Sequence, residues 1–409
     1  MIKINIKIIK MNEKQLEALN IIKNNDNLFL TGSAGTGKSF TINKIVEYLI
    51  DNDIKYGLTA LTGCAASLIK GQTLHSYLNL GINKSINEIY KDLSTKYISK
   101  MRLLKSLQTL IIDEVSMMSN ELLELIDNLF KLIKSNDLPF GGIQIIMVGD
   151  FHQLPPIKGN YCFTSPIWDE LKMNIIILTE LIRQKDDLIL QELLEELRNG
   201  KISLKSYEIL ESLKNTKFEN DIKPTKLFPI NTNVDKINES EFNKLVKLNN
   251  NQTKIYKAYS KYKNDTINTY DICLTLNAQI MVIRNIDVEN HLVNGTRGIV
   301  VGLMDNIVII KDIKGIIHHI KYYTDINNNN KNKNNISFMP LKLAYAISIH
   351  KSQGSSINCL ELDLGDDIFV SGQTYTALSR ATNINNIKII NLDKSSFFVN
   401  KKIIDFYKK

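Results

Sequence analysis

Gly32-Ser33-Ala34-Gly35-Thr36-Gly37-Lys38-Ser39 fits the pattern Gly, four residues, Gly-Lys-Ser. Ahead of it stands Leu28-Phe29-Leu30, an apolar run bounded by Asn27 and Thr31. Behind it, Phe40 to Ile50 carries apolar residues at helical spacing. The local order is strand, glycine loop, helix, which is the context the pattern requires. Glycines let the backbone curl so that its amides converge on phosphate oxygens. The helix start adds free N–H groups and its dipole. In such a loop Lys38 reaches the terminal phosphates and Ser39 holds a magnesium ion. A chance Gly-rich turn would not bring both flanks with it.

Two further strands end in chemistry. Leu107-Gln108-Thr109-Leu110-Ile111-Ile112 runs straight into Asp113-Glu114. An apolar run that stops at two carboxylates reads as a buried parallel strand with its acids at the ligand-binding edge of an open sheet. Asp113 can hold magnesium through its water shell, and Glu114 can orient or deprotonate the attacking water. Ile143 to Val148 repeats the theme and leads into Gly149-Asp150-Phe151-His152-Gln153-Leu154-Pro155-Pro156. Gln153 is placed to sense a γ-phosphate, and the Pro-Pro step stiffens the exit.

The chain has 409 residues, more than one hydrophobic core accommodates. Hydrophobic residues make up 44% and charged residues 23%, ordinary for a globular protein. The net charge of +8 favours a polyanionic partner, nucleic acid first, although a Lys-rich surface alone gives the same number. Cys64, Cys162, Cys273 and Cys359 are scattered, which fits a reducing compartment and argues against a zinc site or disulfide framework. Met1 to Lys10 alternates apolar and basic residues. It has neither the apolar core of a secretory signal nor the Arg/Ser richness of a transit peptide, so a short strand or a disordered tail is expected. No apolar run approaches the ~20 residues needed to cross a bilayer. The usage of Asn, Ile and Lys reads as A+T-rich coding, and the Asn-rich run 327–335 as a loop tip without structure.

Taken in order, a short helix precedes the loop and carries Gln15, whose amide can bond an adenine, although a surface glutamine is the plainer reading. Gly57 to Ala66 reads as a strand followed by a helix, with Thr62 and Gly63 small enough to let a nucleic-acid backbone approach. His75 and Tyr77 can stack bases or line a strand channel; His75 alone is more often structural. Residues 78–105 read as a charged helical insertion. Arg183 can reach the nucleotide from beyond the first sheet or pair on the surface with Glu180 or Asp187. Gly200 stops the helix from Leu188 to Arg198 and marks the expected change of domain. The second half restarts the α/β rhythm at Thr225, with a helix expected from about Val234 to Leu248. A small β-barrel-like insertion is expected at 285–338, with a hairpin turn at Asn294-Gly295. Leu343 to Ser356 is a strand running into a polar loop. There His350, Lys351 and Ser352 can bond a nucleic-acid backbone, and Gln353 and Gly354 can approach the nucleotide. Gly372 to Thr382 is a helix ending near Arg380, where a lone Arg usually caps carbonyls.

The ordered set formed by Gln15, the glycine loop, TALTGCAA, GQTLHSY, LIIDEVSMM, GDFHQLPPI, LIRQKDD, INTNVDKIN, NGTRG, AISIHKSQGSSI and YTALSRATN resembles a superfamily-one helicase. It is most similar to the PIF-one family and its RecD-like relatives, over Met11 to about Asn383. LTELIRQKDDLILQELLEELRNG from Leu178 looks like the family's signature helix, distinct from the UvrD-like branch.

The resemblance implies an α/β fold of two RecA-like P-loop NTPase domains in tandem, 1–200 and 201–409. It implies ATP and Mg2+ in the cleft between them. Single-stranded DNA lies across their tops, with tailed or forked duplexes as substrates, no membrane, and a monomer as the active form. It implies 5′-to-3′ unwinding in replication, recombination or repair. By motif position Gln15 reads adenine and Lys38 and Ser39 hold phosphate and magnesium. Asp113 is the metal carboxylate and Glu114 the catalytic one. Gln153, Arg183, Gly354 and Arg380 touch the terminal phosphate region, the two arginines as arginine fingers. DNA contacts carried over are Thr62, Gly63, His75, His350, Lys351 and Ser352. A single-strand translocase or RNA/hybrid helicase is the alternative; an inactive DNA-binding clamp is opposed by the intact Lys38, Asp113, Glu114 and Arg380. Compactness and coding bias suggest a viral source, and with it a nucleus or a cytoplasmic viral factory.

Overall fold

The computed structural model describes residues 11–408 apart from 82–83, 183, 185–186, 219–223, 230, 261–269, 285, 288–291, 293–295, 313, 326–335 and 358. The expectations for the N-terminal ten residues, the Asn294-Gly295 turn and the Asn-rich run fall outside these residues.

The first half is built on a parallel sheet. Its strands are β1 (Leu28–Gly32), β2 (Tyr56–Ala60), β3 (Gln72–Thr73), β4 (Thr109–Asp113), β5 (Gln144–Val148) and β6 (Asn174–Leu178), in the order β3-β2-β4-β5-β1-β6. Every residue of β1, β4 and β5 is buried, as continuous apolar runs between two helical layers should be. Register sets the site: Gly32 lies beside Leu178, Leu30 beside Val148 and Ala60 beside Asp113. The glycine loop, the Asp113-Glu114 step and the Gly149-Asp150 turn therefore leave the same edge.

One face of this sheet is covered by α1 (Glu13–Lys23), α2 (Lys38–Asp51) and α3 (Gly63–Leu68), with Ile22, Ile42, Ile45 and Leu49 in the core. On the other face lie α4 (Leu74–Leu78), α5 (Ile86–Thr95), α6 (Ile98–Ser106), α7 (Asn120–Lys134) and α8 (Pro166–Glu170). Helices α5 and α6 are the helical insertion, and Ile89, Leu93, Met101 and Leu104 bind it to the same core as Phe29 and Phe130. Tyr77 joins that core and is buried, so it stacks no base.

Helix α9 (Leu188–Arg198) precedes Gly200, yet Leu190, Leu193, Leu194 and Leu197 are buried with the second half. The core thus changes ahead of Gly200, because the apolar stripe of α9 faces forward along the chain. Next come α10 (Leu204–Ser212), β7 (Thr225–Phe228) and α11 (Asn231–Leu248), which starts three residues before the expected Val234.

The β-rich segment is wider than 285–338. It comprises β8 (Lys254–Tyr256), β9 (Tyr259–Ser260), β10 (Ile272–Leu274), β11 (Gln279–Val282), β12 (Arg297–Leu303), β13 (Ile307–Asp312), β14 (Ile317–Lys321), β15 (Tyr323–Asp325), β16 (Ile336–Phe338) and β17 (Leu341–Leu343). These form sheets ordered β14-β13-β12-β11-β17, β15-β16-β9 and β10-β8 around their own core of Tyr256, Ile280, Val300 and Ile310. The chain then returns through β18 (Ala346–Ser348), α12 (Ile349–Ser352), β19 (Leu360–Leu364), α13 (Gln373–Leu378) and β20 (Ile387–Leu392), giving a second parallel sheet ordered β18-β7-β19-β20.

Helix α14 (Lys401–Tyr407) leaves that sheet and packs on the first one. Ile403 is fully buried in the first core, and Phe406 stacks on Phe163 at 4.5 Å between centroids. Such aromatic pairs add ~0.5–1.5 kcal/mol each beyond area burial. Tyr407 Oη lies 2.8 Å from Thr31 Oγ1. Residues 401–407 thus extend the first core, although they fall in the expected second domain. Among the described residues all four cysteines are free, and no helix is long and apolar enough to cross a membrane.

Candidate nucleotide site and nucleic-acid channel

Ala34, Gly35, Gly37, Lys38, Ser39 and Phe40 line a cavity of about 290 Å³ with Glu114, Gln153, Ile182, Gly354 and Arg380. First-half and second-half residues share its walls. Gly37 is favoured first by its backbone, which is left-handed. At Gly37, with φ +89°, a side-chain carbon would press on Gln15 Nε2 and Ile182 Cδ1.

Lys38 Nζ donates to the carbonyls of Gly32 at 2.7 Å and Ser33 at 3.0 Å. Burial lowers its pKa, against the pull of Asp150, Glu114 and Asp113. Asp113 is buried at the end of β4, and burial together with the Glu114 charge raises its pKa. Glu114 sits in the left-handed region at φ 56°. That unusual backbone turns its carboxylate toward the second half. There Gln353 Nε2 donates to Glu114 Oε2 at 2.9 Å, with Ser116 Oγ at 3.4 Å and Gln153 Oε1 at 3.5 Å.

Arg380 is 2% exposed. Its Nε donates to Thr376 O at 2.9 Å and its Nη2 to Ser379 Oγ at 2.8 Å, and Nη1 faces the carbonyls of Ser355 and Ser352 at 3.4 and 3.5 Å. It therefore does cap carbonyls, and also lines the nucleotide cavity. Gln15 Oε1 accepts from Asn12 N at 3.0 Å in a capping box, while its buried Nε2 has no partner. Arg183 lies outside the described residues. Its neighbours bind both halves: Ile182 N donates to Gly35 O at 2.9 Å, and Gln184 Nε2 to Ala381 O at 3.0 Å.

A larger cavity of about 680 Å³ is walled by both halves and the β-rich segment. Thr62 and Gly63 line it from the first half, His350 and Lys351 from the second, and Arg284 and Lys342 from the β-rich segment. Two further carried-over residues stand elsewhere. Ser352 is fully buried, its hydroxyl donating to Ile349 O at 2.7 Å, because α12 turns that side chain inward. His75 is exposed on α4 and is not part of this wall. The wall instead includes Ile157, 80% exposed, and Phe369, 61% exposed. Neither was marked by sequence, since an isolated apolar residue in a loop reads as core. Phe40 was likewise missing from the expected nucleotide set, while Gln353, expected near the nucleotide, instead bonds Glu114 behind the cavity wall.

A family model described as PIF1-like helicase matches residues 10–207, and one described as DNA helicase Pif1, 2B domain, matches 268–303. The chain is 32% identical to the ATP-dependent DNA helicase Pif1 of Bdellovibrio bacteriovorus, over 98% of this chain and 92% of that protein. It is 32% identical to the ATP-dependent DNA helicase PIF1 of Danio rerio over 98% of its own length, but spans only 64% of that protein. Among solved structures it resembles the Pif1 helicase of Candida albicans with a TM-score of 0.84 and 29% identity, covering 98% of this chain and 99% of that one. It matches Bacteroides Pif1 in complex with ADP-AlF3 and ssDNA with a TM-score of 0.72 and 28% identity, over 98% and 97% of the two chains. A structure of two coordinating Pif1 helicases at forked dsDNA matches with a TM-score of 0.72 and 26% identity, over 98% and 97%.

Proposed function

The chain belongs to the PIF1-like helicase family and is an ATP-dependent DNA helicase, and from that premise we propose that it moves 5′ to 3′ along single-stranded DNA by opening and closing the cleft between its halves. The cleft motion is supported by the shared wall of the nucleotide cavity, with Lys38 and Glu114 on one side and Gly354 and Arg380 on the other, and the polarity by the family resemblance.

In this reading Gln15 recognises adenine, and the loop from Gly32 to Ser39 wraps the phosphates, with Lys38 on the terminal ones. Glu114 accepts the proton of the attacking water, and Gln153 positions that water against the terminal phosphate. Arg380, joined by Arg183, stabilises charge on the transferring group. The Ser39 hydroxyl and the Asp113 carboxylate suit Mg2+, a hard cation that prefers oxygen. The buried Asp113, short of charge compensation, fits that role. When bound, Mg2+ neutralises phosphate charge.

DNA lies in the larger cavity, its backbone met by Lys342, Lys351 and Arg284 and its bases by Phe369 and Ile157. Tailed and forked duplexes are the substrates and a monomer the active form, in replication, recombination or repair. Duplexes with only a 5′ or only a 3′ single-stranded tail, unwound with ATP, test the polarity. Unwinding from the 5′ tail is expected; unwinding solely from the 3′ tail refutes it. The same assay on RNA tails tests the substrate, and sedimentation of the protein with a fork tests the monomer against a pair.

A further inference from the structure

Tyr375 is fully enclosed on α13, and its hydroxyl reaches the phosphate loop. The backbone N–H of Ala34 donates to Tyr375 Oη at 3.1 Å, and Tyr375 Oη donates to Asp150 Oδ2 at 3.0 Å. Ala34 lines the nucleotide cavity, while Tyr375 comes from the helix that leads into Arg380. One hydroxyl thus joins a loop amide of the first half to a helix of the second.

The direction of the proton is determined. Asp150 is wholly buried, and its other oxygen lies 3.4 Å from Arg198 Nη2 and 3.1 Å from His152 Nδ1. These cations and donors keep it ionised, so it only accepts hydrogen bonds. Tyr375 must therefore spend its single proton on Asp150 and turn a lone pair to the Ala34 amide. Burial and the Asp150 charge keep the phenol protonated. The start of α13 is clamped too. Gly372, at φ +81°, lies so close to the carbonyls of His152 and Gln153 that no side chain fits. Helix α13 is thus seated on the turn that carries Gln153, and Arg380 Nε bonds the carbonyl of Thr376, the next residue after Tyr375.

We propose that Tyr375 is a positioning residue for ATP hydrolysis: through Ala34 it makes the phosphate loop and α13 move as one, and so sets where Arg380 stands over the terminal phosphate. The inference rests on the reading of Arg380 as a charge-stabilising group.

The test is a four-protein cycle on the full chain: wild type, Tyr375→Phe, Arg380→Ala and the double variant, with ATP turnover measured at saturating single-stranded DNA. Phe keeps the ring and removes only the oxygen. Tyr375→Phe is expected to lower kcat about 10-fold, the rate equivalent of one hydrogen bond, with KM for ATP within about 2-fold. The double variant should be no slower than Arg380→Ala alone, because the two act through one group. Losses that multiply, or an unchanged kcat in Tyr375→Phe, overturn the inference while leaving Arg380 in its role. Wild-type turnover in Arg380→Ala overturns both. A second readout is independent of activity. On addition of a non-hydrolysable ATP analogue, amide exchange across Gln373–Leu378 should slow in the wild type and not in Tyr375→Phe. Equal protection in both proteins overturns the coupling.

Discussion

Gln353 Nε2 donates to Glu114 Oε2 at 2.9 Å, so the second half of the chain holds the carboxylate at the end of β4. The same short segment, α12 and its exit, places His350 and Lys351 on the wall of the larger cavity, the proposed path of DNA. Gln353, which holds the group that would activate water, thus stands three positions after His350 and two after Lys351. Gln353→Ala is expected to lower the ratio of DNA-stimulated to DNA-free ATP turnover by about 10-fold, the effect of one charge-assisted hydrogen bond. A ratio equal to that of the wild type sinks this link.

Lys38→Ala removes the cation of the phosphate loop. ATP turnover should fall at least ~100-fold, since a preorganised charge on the phosphates is lost. Affinity for a fluorescent single-stranded oligonucleotide should stay within a few-fold, because the channel is a separate cavity. Retained hydrolysis would remove the loop from the active site.

The channel makes a contrasting pair of predictions. Phe369→Ala should weaken single-strand binding by ~1–3 kcal/mol if its exposed ring stacks a base. Lys342→Ala should lower the salt dependence of binding by about one counterion. His75→Ala, outside the wall, should change neither. A larger loss at His75 than at Phe369 in the same anisotropy titration would put DNA on a different path.

Asp150 sets an acid limit to stability. Burial alone would raise its carboxyl, but Arg198, His152 and Lys38 outweigh it and hold it far below the usual carboxylate range. A group depressed in the folded state stabilises above its unfolded value, near ~4, and that contribution is lost as pH falls. Asp150→Asn should therefore cost ~3–5 kcal/mol at neutral pH, with Arg198 left buried and uncompensated. Between about pH 4 and 2 its stability should fall less steeply than that of the wild type. Parallel acid denaturation curves for the two proteins would count against this.

Much of the fold was legible because continuous apolar runs ending in Gly, Asp or Glu mark buried parallel strands. Leu28 to Gly32, Thr109 to Asp113 and Gln144 to Val148 are neighbours in one sheet, as that pattern requires. The phosphate loop, Glu114, Gln153, Gly354 and Arg380 meet in one cavity. What stayed hidden depends on facing, which periodicity does not encode. The stripe of α9 shows that its leucines are buried but not against which sheet. Ser352 and Lys351 are adjacent, yet the ~100° step between neighbours on a helix sends one inward and the other to the larger cavity. Nothing in the sequence singles out Tyr375: only the fold puts Ala34 and Asp150 on either side of its hydroxyl.

The hydrogen bond between Thr31 and Tyr407 joins residues 376 positions apart. Phe29, Trp168 and Phe406 share one aromatic cluster, so the first sheet lacks part of its core until the last helix has been synthesised. The N-terminal half thus cannot finish folding while it leaves the ribosome; it waits for the C-terminal residues, through the synthesis of the second sheet and the β-rich segment. A nascent chain stalled before residue 400 should therefore present an incomplete nucleotide domain, and a phosphate loop whose first strand is not yet locked.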